Sequence, residues 1–141
     1  MKGVLFAFLG GMFITLQGVL NANISGEIGT LPAITITQFT GFFLAFTIWL
    51  LVRDGNYTQI KSVKTAYLFA GSFGLLIIFN EVTAIHSIGI TLTMSMLLIS
   101  QVLMAFFIDT RGWFGMEKKQ IHAPQYIGVT LMVLGVIVMQ L

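Results

Sequence analysis

Cysteine is absent from the 141 residues, charged side chains make up 9% of them, and there are only two prolines and two histidines. Without cysteine there is no disulfide framework, no thiolate chemistry and no cysteine-ligated metal site, and the chain carries no redox mark of its compartment. So few charges would leave a water-soluble domain of this size without the polar residues to cover its surface. With 57% apolar residues and a mean hydropathy of +0.96, the expected class is an integral membrane protein, with the lipid bilayer as its main partner. The pI near 9.2 does not point to nucleic acid, because the basic residues flank apolar runs and form no basic face. No Ser/His/Asp set, metal-ligand cluster or pair of carboxylates shares a helix face, so neither an enzyme nor a metal or cofactor site is expected. A phosphate-binding glycine loop is missing too, which leaves an ion gradient as the energy source for any transport.

Long apolar runs organise the chain. The expected architecture is an all-α integral membrane protein: one transmembrane domain over residues 1–141, with five helical spans near 3–20, 33–52, 66–85, 90–108 and 124–141. The first run is too long for the apolar core of a signal peptide and has no small-x-small cleavage site, so it is read as an uncleaved span. Asn21 to Leu31 is expected to be a loop, with Pro32 opening the second span. Arg53 to Asn56 ends that span, and Ile60 to Lys64 forms a basic connector to the third. His86-Ser87-Ile88-Gly89 reads as a tight turn, and a connection so short predicts an antiparallel hairpin of spans three and four. Asp109 to Gln120 is the most polar stretch, with Asp109 and Arg111 as an interfacial charge pair and His122 as a loop residue.

Lys2, Arg53, Lys61, Lys64, Arg111, Lys118 and Lys119, all the basic residues of the chain, fall on one side of a five-span arrangement. The positive-inside bias then predicts a multi-pass protein of the cell (inner) membrane, its N-terminus cytoplasmic and its C-terminus outside. Trp49, Tyr67, Trp113 and Tyr126 lie near the same boundary, where amphipathic rings anchor well.

The first span places Gly3, Ala7, Gly10, Ile14, Gln17 and Asn21 on one helical stripe, flanked by Gly11 and Gly18. Small residues let a neighbouring helix approach, so Gly10, Gly11 and Gly18, with Gly71 and Gly74 of span three, are read as helix-packing positions. By helical rise Gln17 and Glu81 lie at about one level in the outer half. Gln38, Thr35 and Thr37 of span two and Thr91, Thr93 and Ser95 of span four complete a polar belt there, with Ser100 and Gln101 deeper. Several of these have plainer readings: threonine hydroxyls can return to their own helix backbone, Asn21 can cap a helix, glutamines can bond one helix to another, and His86 can be an interfacial turn residue.

Glu81 stands apart from these. An ionised carboxylate in the hydrocarbon region costs several kcal/mol unless it is protonated, paired or hydrated, and no Lys or Arg lies within a span to pair with it. Its stripe, Gly71, Gly74, Ile78, Glu81 and Ile85, has the small residues of an interior face. Glu81, Gln17, Asn21, Gln38, Asn80 and Gln101 are therefore the candidate substrate- or proton-binding residues, against a structural carboxyl bonded to Gln17, Asn21 or headgroup water.

Gln17-Gly18-Val19-Leu20-Asn21, Gly29-Thr30-Leu31-Pro32-Ala33, Ser100-Gln101, Ile108-Asp109 with Gly112 and Phe114-Gly115, and Gly128-x-x-Leu131-Met132-x-Leu134-Gly135 give the chain a resemblance that spans nearly its whole length. It resembles a half-size, EamA-like bacterial branch of the drug/metabolite transporter superfamily. The resemblance implies one five-helix repeat of an inverted-repeat transporter that works as a dimer and exports a small metabolite or organic cation. Ser100 departs from the Gly that this branch has before Gln, Glu81 has no counterpart in it, and Gln17 stands where the four-helix multidrug exporters carry a first-helix glutamate. Because the charge bias favours one orientation, the expected dimer pairs the chain with an oppositely inserted paralogue, or else with a parallel copy of itself. The alternative is a non-transporting membrane subunit whose polar belt packs against a partner's helices.

Overall fold

The computed structural model describes residues 2–52, 63–118 and 123–140, which form two compact units, Met1–Ser87 and Ile88–Leu141. The single domain expected from the sequence is accordingly described in two parts. The expected turn at Arg53 to Asn56, most of the connector after it, and Lys119, Gln120 and His122 lie outside the described residues.

The first unit holds α1 (Lys2–Ile28), α2 (Thr30–Val52) and α3 (Phe73–Ile88), the last preceded by a single helical turn, Thr65–Leu68, and a 3₁₀ segment, Phe69–Ser72. The second holds α4 (Ile90–Arg111) and α5 (Ala123–Met139). Backbone polar groups in hydrocarbon must be satisfied within their own segment, and only helices do this for a single run of chain. Lys2–Ile28, Thr30–Val52, Phe69–Ile88 and Ile90–Arg111 are long and apolar enough to cross a membrane, while Ala123–Met139 is apolar but has 17 residues. The fold is an all-α membrane protein, as expected.

Two connections are tighter than the sequence suggests. The segment expected to be a loop from Asn21 to Leu31 is helical through Ile28 and again from Thr30, with only Gly29 between. No proline interrupts it, the Ser25 hydroxyl donates to Ala22 O at 2.9 Å, and the face carrying Asn21, Ala22 and Ser25 is buried, so continuing the helix covers polar backbone that a loop would expose. Pro32 falls in the first turn of α2, where its missing N–H breaks no bond. The turn expected over His86 to Gly89 is likewise helical through Ile88, and Gly89 alone is the break. Both breaks take positive φ, +91° at Gly29 and +81° at Gly89, a backbone region open to glycine and unfavourable to other residues.

In the first unit α1 packs on α2, and α3 joins them through Ile34, Ile78 and Val82. Two contacts set the registers. Gln38 Nε2 lies against Gly74 while Ile34 meets Ile78 and Val82, so α2 and α3 are antiparallel. At the far end of α1, Ser25 and Gly26 meet His86. The buried stripe of α1 is Gly18, Asn21, Ala22 and Ser25, and that of α3 is Ile78, Glu81, Val82 and Ile85. Both have i, i+3, i+4, i+7 spacing, the inner face of a helix.

The outer surface of this unit is apolar. On α2 the exposed Phe39, Phe42, Phe43, Phe46 and Trp49 form a ladder, with ring centroids 4.9 Å apart for Phe39 and Phe43 and 5.8 Å for Phe42 and Phe46. Such a face suits lipid. In the second unit α4 packs against α5, and their contact leaves an apolar groove of about 220 Å³ lined by residues such as Leu98, Ile99, Met132 and Gly135. Gly112 ends α4 with its N–H on Ile108 O at 2.8 Å. The Arg111 guanidinium lies 5.0 Å from the Phe107 ring centroid and 5.9 Å from that of Trp113. The expected Asp109–Arg111 pair is not formed, because residues two apart on a helix point to different sides.

Candidate functional site

The polar residues of the spans separate into those their own helix satisfies and those it does not. Thr35 donates to Leu31 O at 2.9 Å, Thr37 to Ala33 O at 3.1 Å, Thr93 to Gly89 O at 2.7 Å, Ser95 to Thr91 O at 2.8 Å and Ser100 to Met96 O at 2.9 Å. Asn80 does the same with its amide, Nδ2 to Leu76 O at 2.8 Å, from an exposed position. Most of the belt is therefore quiet: its hydroxyls are committed to backbone carbonyls one turn back.

Asn21 and Glu81 are not satisfied in this way. Asn21 is 0% exposed, and neither its Oδ1 nor its Nδ2 has a hydrogen-bond partner. Glu81 is 5% exposed and its Oε1 is buried with no partner. A buried polar atom left unpaired costs on the order of 1–3 kcal/mol, so two such side chains in an otherwise apolar unit need a reason. With Asn21 unpartnered, the structural alternative in which Asn21 holds the Glu81 carboxyl by a hydrogen bond is not what the structure contains.

Helical register places the two at one level. Ser25 and His86 meet across α1 and α3, and one turn back from each, about 6 Å of helical rise, lie Asn21 on α1 and Val82 with Glu81 on α3. Gln17 is a further turn towards the start of α1, so Asn21, not Gln17, shares the level of Glu81. Gln17 is exposed and, with Asn21 and Thr37, forms the polar part of a groove of about 400 Å³ on α1 and α2 whose other walls are Phe13, Leu16, Leu20 and Ile24. Gln38 is half-buried two turns further along α3, its Nε2 at 2.8 Å from where a side-chain Cβ on Gly74 would stand. Gln101 is exposed in the second unit.

The glycines divide similarly. Gly18 is buried and Gly74 makes room for Gln38. Gly10, Gly11 and Gly71 are exposed, and among the described residues a Cβ at any of them would meet nothing within 4 Å, so the first unit does not use them as packing contacts.

The contact of Ser25 with His86 was not foreseen, since both were assigned to connecting segments. His86 Nε2 lies 2.7 Å from Ser25 Oγ. Ser25 Oγ also lies 2.9 Å from Ala22 O, so the hydroxyl and the imidazole share a small hydrogen-bonded cluster whose direction follows the His86 tautomer. The signal available in the sequence was Ser25 at four residues from Asn21, which extends the polar stripe of span one by a turn. Among the described residues no group of three or more His, Cys, Asp or Glu could hold a metal ion.

Residues 3–138 match the sequence model of a family described as "Putative inner membrane exporter, YdcZ". No curated protein and no solved structure matches the chain.

Proposed function

Because the chain belongs to the YdcZ family of inner-membrane exporters, we propose that it is a secondary transporter that uses Glu81, with Asn21, to exchange a proton for a small metabolite or organic cation. The observation that carries this reading is a carboxyl group and an amide at one level in adjacent apolar helices, both buried and both short of hydrogen-bond partners. A carboxyl group in hydrocarbon is tolerated when it holds a proton or a cation, and alternation between the two is what an antiporter requires. Gln17 and Thr37, beside Asn21 in the groove, line an approach to it, and Gln38 of α2 packs against Gly74 of α3.

The working unit in this reading is a dimer, either with an oppositely oriented paralogue or with a parallel copy, inserted with the N-terminus cytoplasmic and the C-terminus outside. The open faces of Gly10, Gly11 and Gly71 give a second protomer room for close approach. The test is flux in proteoliposomes under a pH gradient, with a panel of cations, amines and neutral metabolites. Gradient-driven movement of at least one compound is expected. No flux across the panel from protein that still co-purifies with another membrane protein would replace the transporter with the non-transporting subunit.

A further inference from the structure

The three buried side-chain atoms left without partners among the described residues define a binding complement of their own. Asn21 Oδ1 and Glu81 Oε1 accept hydrogen bonds, and Asn21 Nδ2 donates. Nothing on the two buried stripes can supply what they lack: apart from Ser25, whose hydroxyl is committed to Ala22 O and meets His86, their other members are Gly18, Ala22, Ile78, Val82 and Ile85. The two residues also hold the same place in their stripes, second of four, so they are presented alike by helices in matching register.

A ligand that completes this set needs N–H or O–H donors for two oxygens, a positive charge for the carboxylate, and an oxygen that can accept from the amide. A protonated primary or secondary amine with a nearby hydroxyl or carbonyl oxygen meets all of these, and a protonated tertiary amine does so when the oxygen is a hydroxyl, whose proton is the second donor. A quaternary ammonium ion has charge but no N–H, and its recognition relies on aromatic faces. Neither stripe carries an aromatic residue, Phe13 is the only ring in the adjoining groove, and the aromatic ladder of Phe39, Phe42, Phe43, Phe46 and Trp49 lines the exposed side of α2.

We infer that Asn21 and Glu81 form a site for a protonated primary or secondary amine bearing an adjacent oxygen, or a tertiary amine bearing a hydroxyl, and that the site discriminates against fully N-alkylated cations. Resting on the proposed transporter, this assigns its substrate class. The exchange balances: the carboxyl releases one proton when the singly charged amine binds and takes one back when it leaves, with no covalent bond to the amine made or broken.

The experiment uses a graded series on the unaltered protein: ethanolamine and its N-methyl, N,N-dimethyl and N,N,N-trimethyl forms. Binding to purified protein is followed by titration calorimetry, and uptake by proteoliposomes under a pH gradient. The first three are expected to bind and move, with a drop of roughly tenfold or more at the trimethyl form, the loss of a charge-assisted hydrogen bond. In Glu81→Gln, which keeps an acceptor but removes the charge, the step between dimethyl and trimethyl forms should shrink to within about threefold, whereas in Asn21→Leu, which removes the partner of the ligand's oxygen, all four forms should weaken and the step should remain. A parent protein that moves the dimethyl and trimethyl forms equally well would overturn the inference while leaving the transporter standing. Failure of all four to bind, with other compounds of the panel transported, would also overturn it. Failure of the whole panel would remove the transporter itself.

Discussion

His86 Nε2 and Ser25 Oγ are hydrogen-bonded across 2.7 Å, joining the last turn of α1 to the last turn of α3 one turn beyond Asn21 and Glu81. That bond fixes the register in which the two unpartnered side chains share a level. A double-mutant cycle with Ser25→Ala and His86→Phe should therefore give a coupling energy of about 0.6 kcal/mol, the average found for hydrogen bonds between transmembrane helices, and no more than about 1.7 kcal/mol. Unfolding in mixed micelles is the measurement, and a coupling indistinguishable from zero would mean that the bond does not hold the helices.

Gly74 and Gln38 offer a test of packing on the other side of α3. A Cβ on Gly74 would stand 2.8 Å from Gln38 Nε2, closer than real side chains approach, but the obstructing atom is the end of a flexible side chain. Gly74→Ala should cost about 1 kcal/mol or a little more, the usual scale of a small overpacking, and Gln38→Ala in the same chain should restore most of it. Thermal unfolding in detergent reads both. The same Gly74→Ala change without loss of stability would place Gln38 elsewhere.

Much of the architecture was legible because hydrocarbon imposes it: runs of apolar residues with no charge can only be helices, and their number follows from the breaks between them. Helix ends were harder to read. Asn21 to Ile28 is rich in Asn, Gly and Ser, residues that favour turns, yet burial of Asn21, Ala22 and Ser25 outweighs local preference and the helix runs on to Gly29. The same local reading hid the Ser25–His86 bond. Glu81 and Asn21 could be singled out by chemistry, since a carboxyl and an amide are costly in an apolar span. That they share a level required the inter-helix register, which no single sequence contains, and the threonine belt lost its interest only when its hydroxyls were seen on their own backbone.

Orientation has a direct readout, because the absence of native cysteine makes every introduced thiol unique. Gly26→Cys should be labelled in intact cells by a membrane-impermeant maleimide, and Lys118→Cys only after the cells are opened. A Cβ at Gly26 comes no nearer than 4.0 Å to His86, so the substitution should not disturb the fold. Labelling of Lys118→Cys from outside would reverse the proposed topology.

Assembly can be separated from folding at the open face of α1. With nothing within 4 Å of a Cβ at Gly10, Gly10→Leu should insert and unfold like the parent as a single chain. Close approach of a second protomer would be blocked, so crosslinked dimer in native membranes should fall several-fold, as small-residue interfaces predict. Unchanged crosslinking would give this face to lipid.

The account turns on whether Glu81 handles charge or only fills space. Glu81→Gln keeps the shape and hydrogen-bonding capacity, removes titration and removes the cost of an ionised carboxyl, so the protein should insert and resist detergent at least as well as the parent. Glu81→Asp should retain part of the activity. The most direct measurement is gradient-driven uptake by proteoliposomes of the parent and of Glu81→Gln, taken between about pH 6 and 8, where an acid–base group works near its operating pH. If Glu81 carries the proton, the loss should be roughly 5- to 150-fold, the usual span of coupling between two bound species, with the pH dependence abolished and protein level unchanged. Equal rates and an intact pH dependence in Glu81→Gln would contradict it and make the buried carboxyl part of the scaffold.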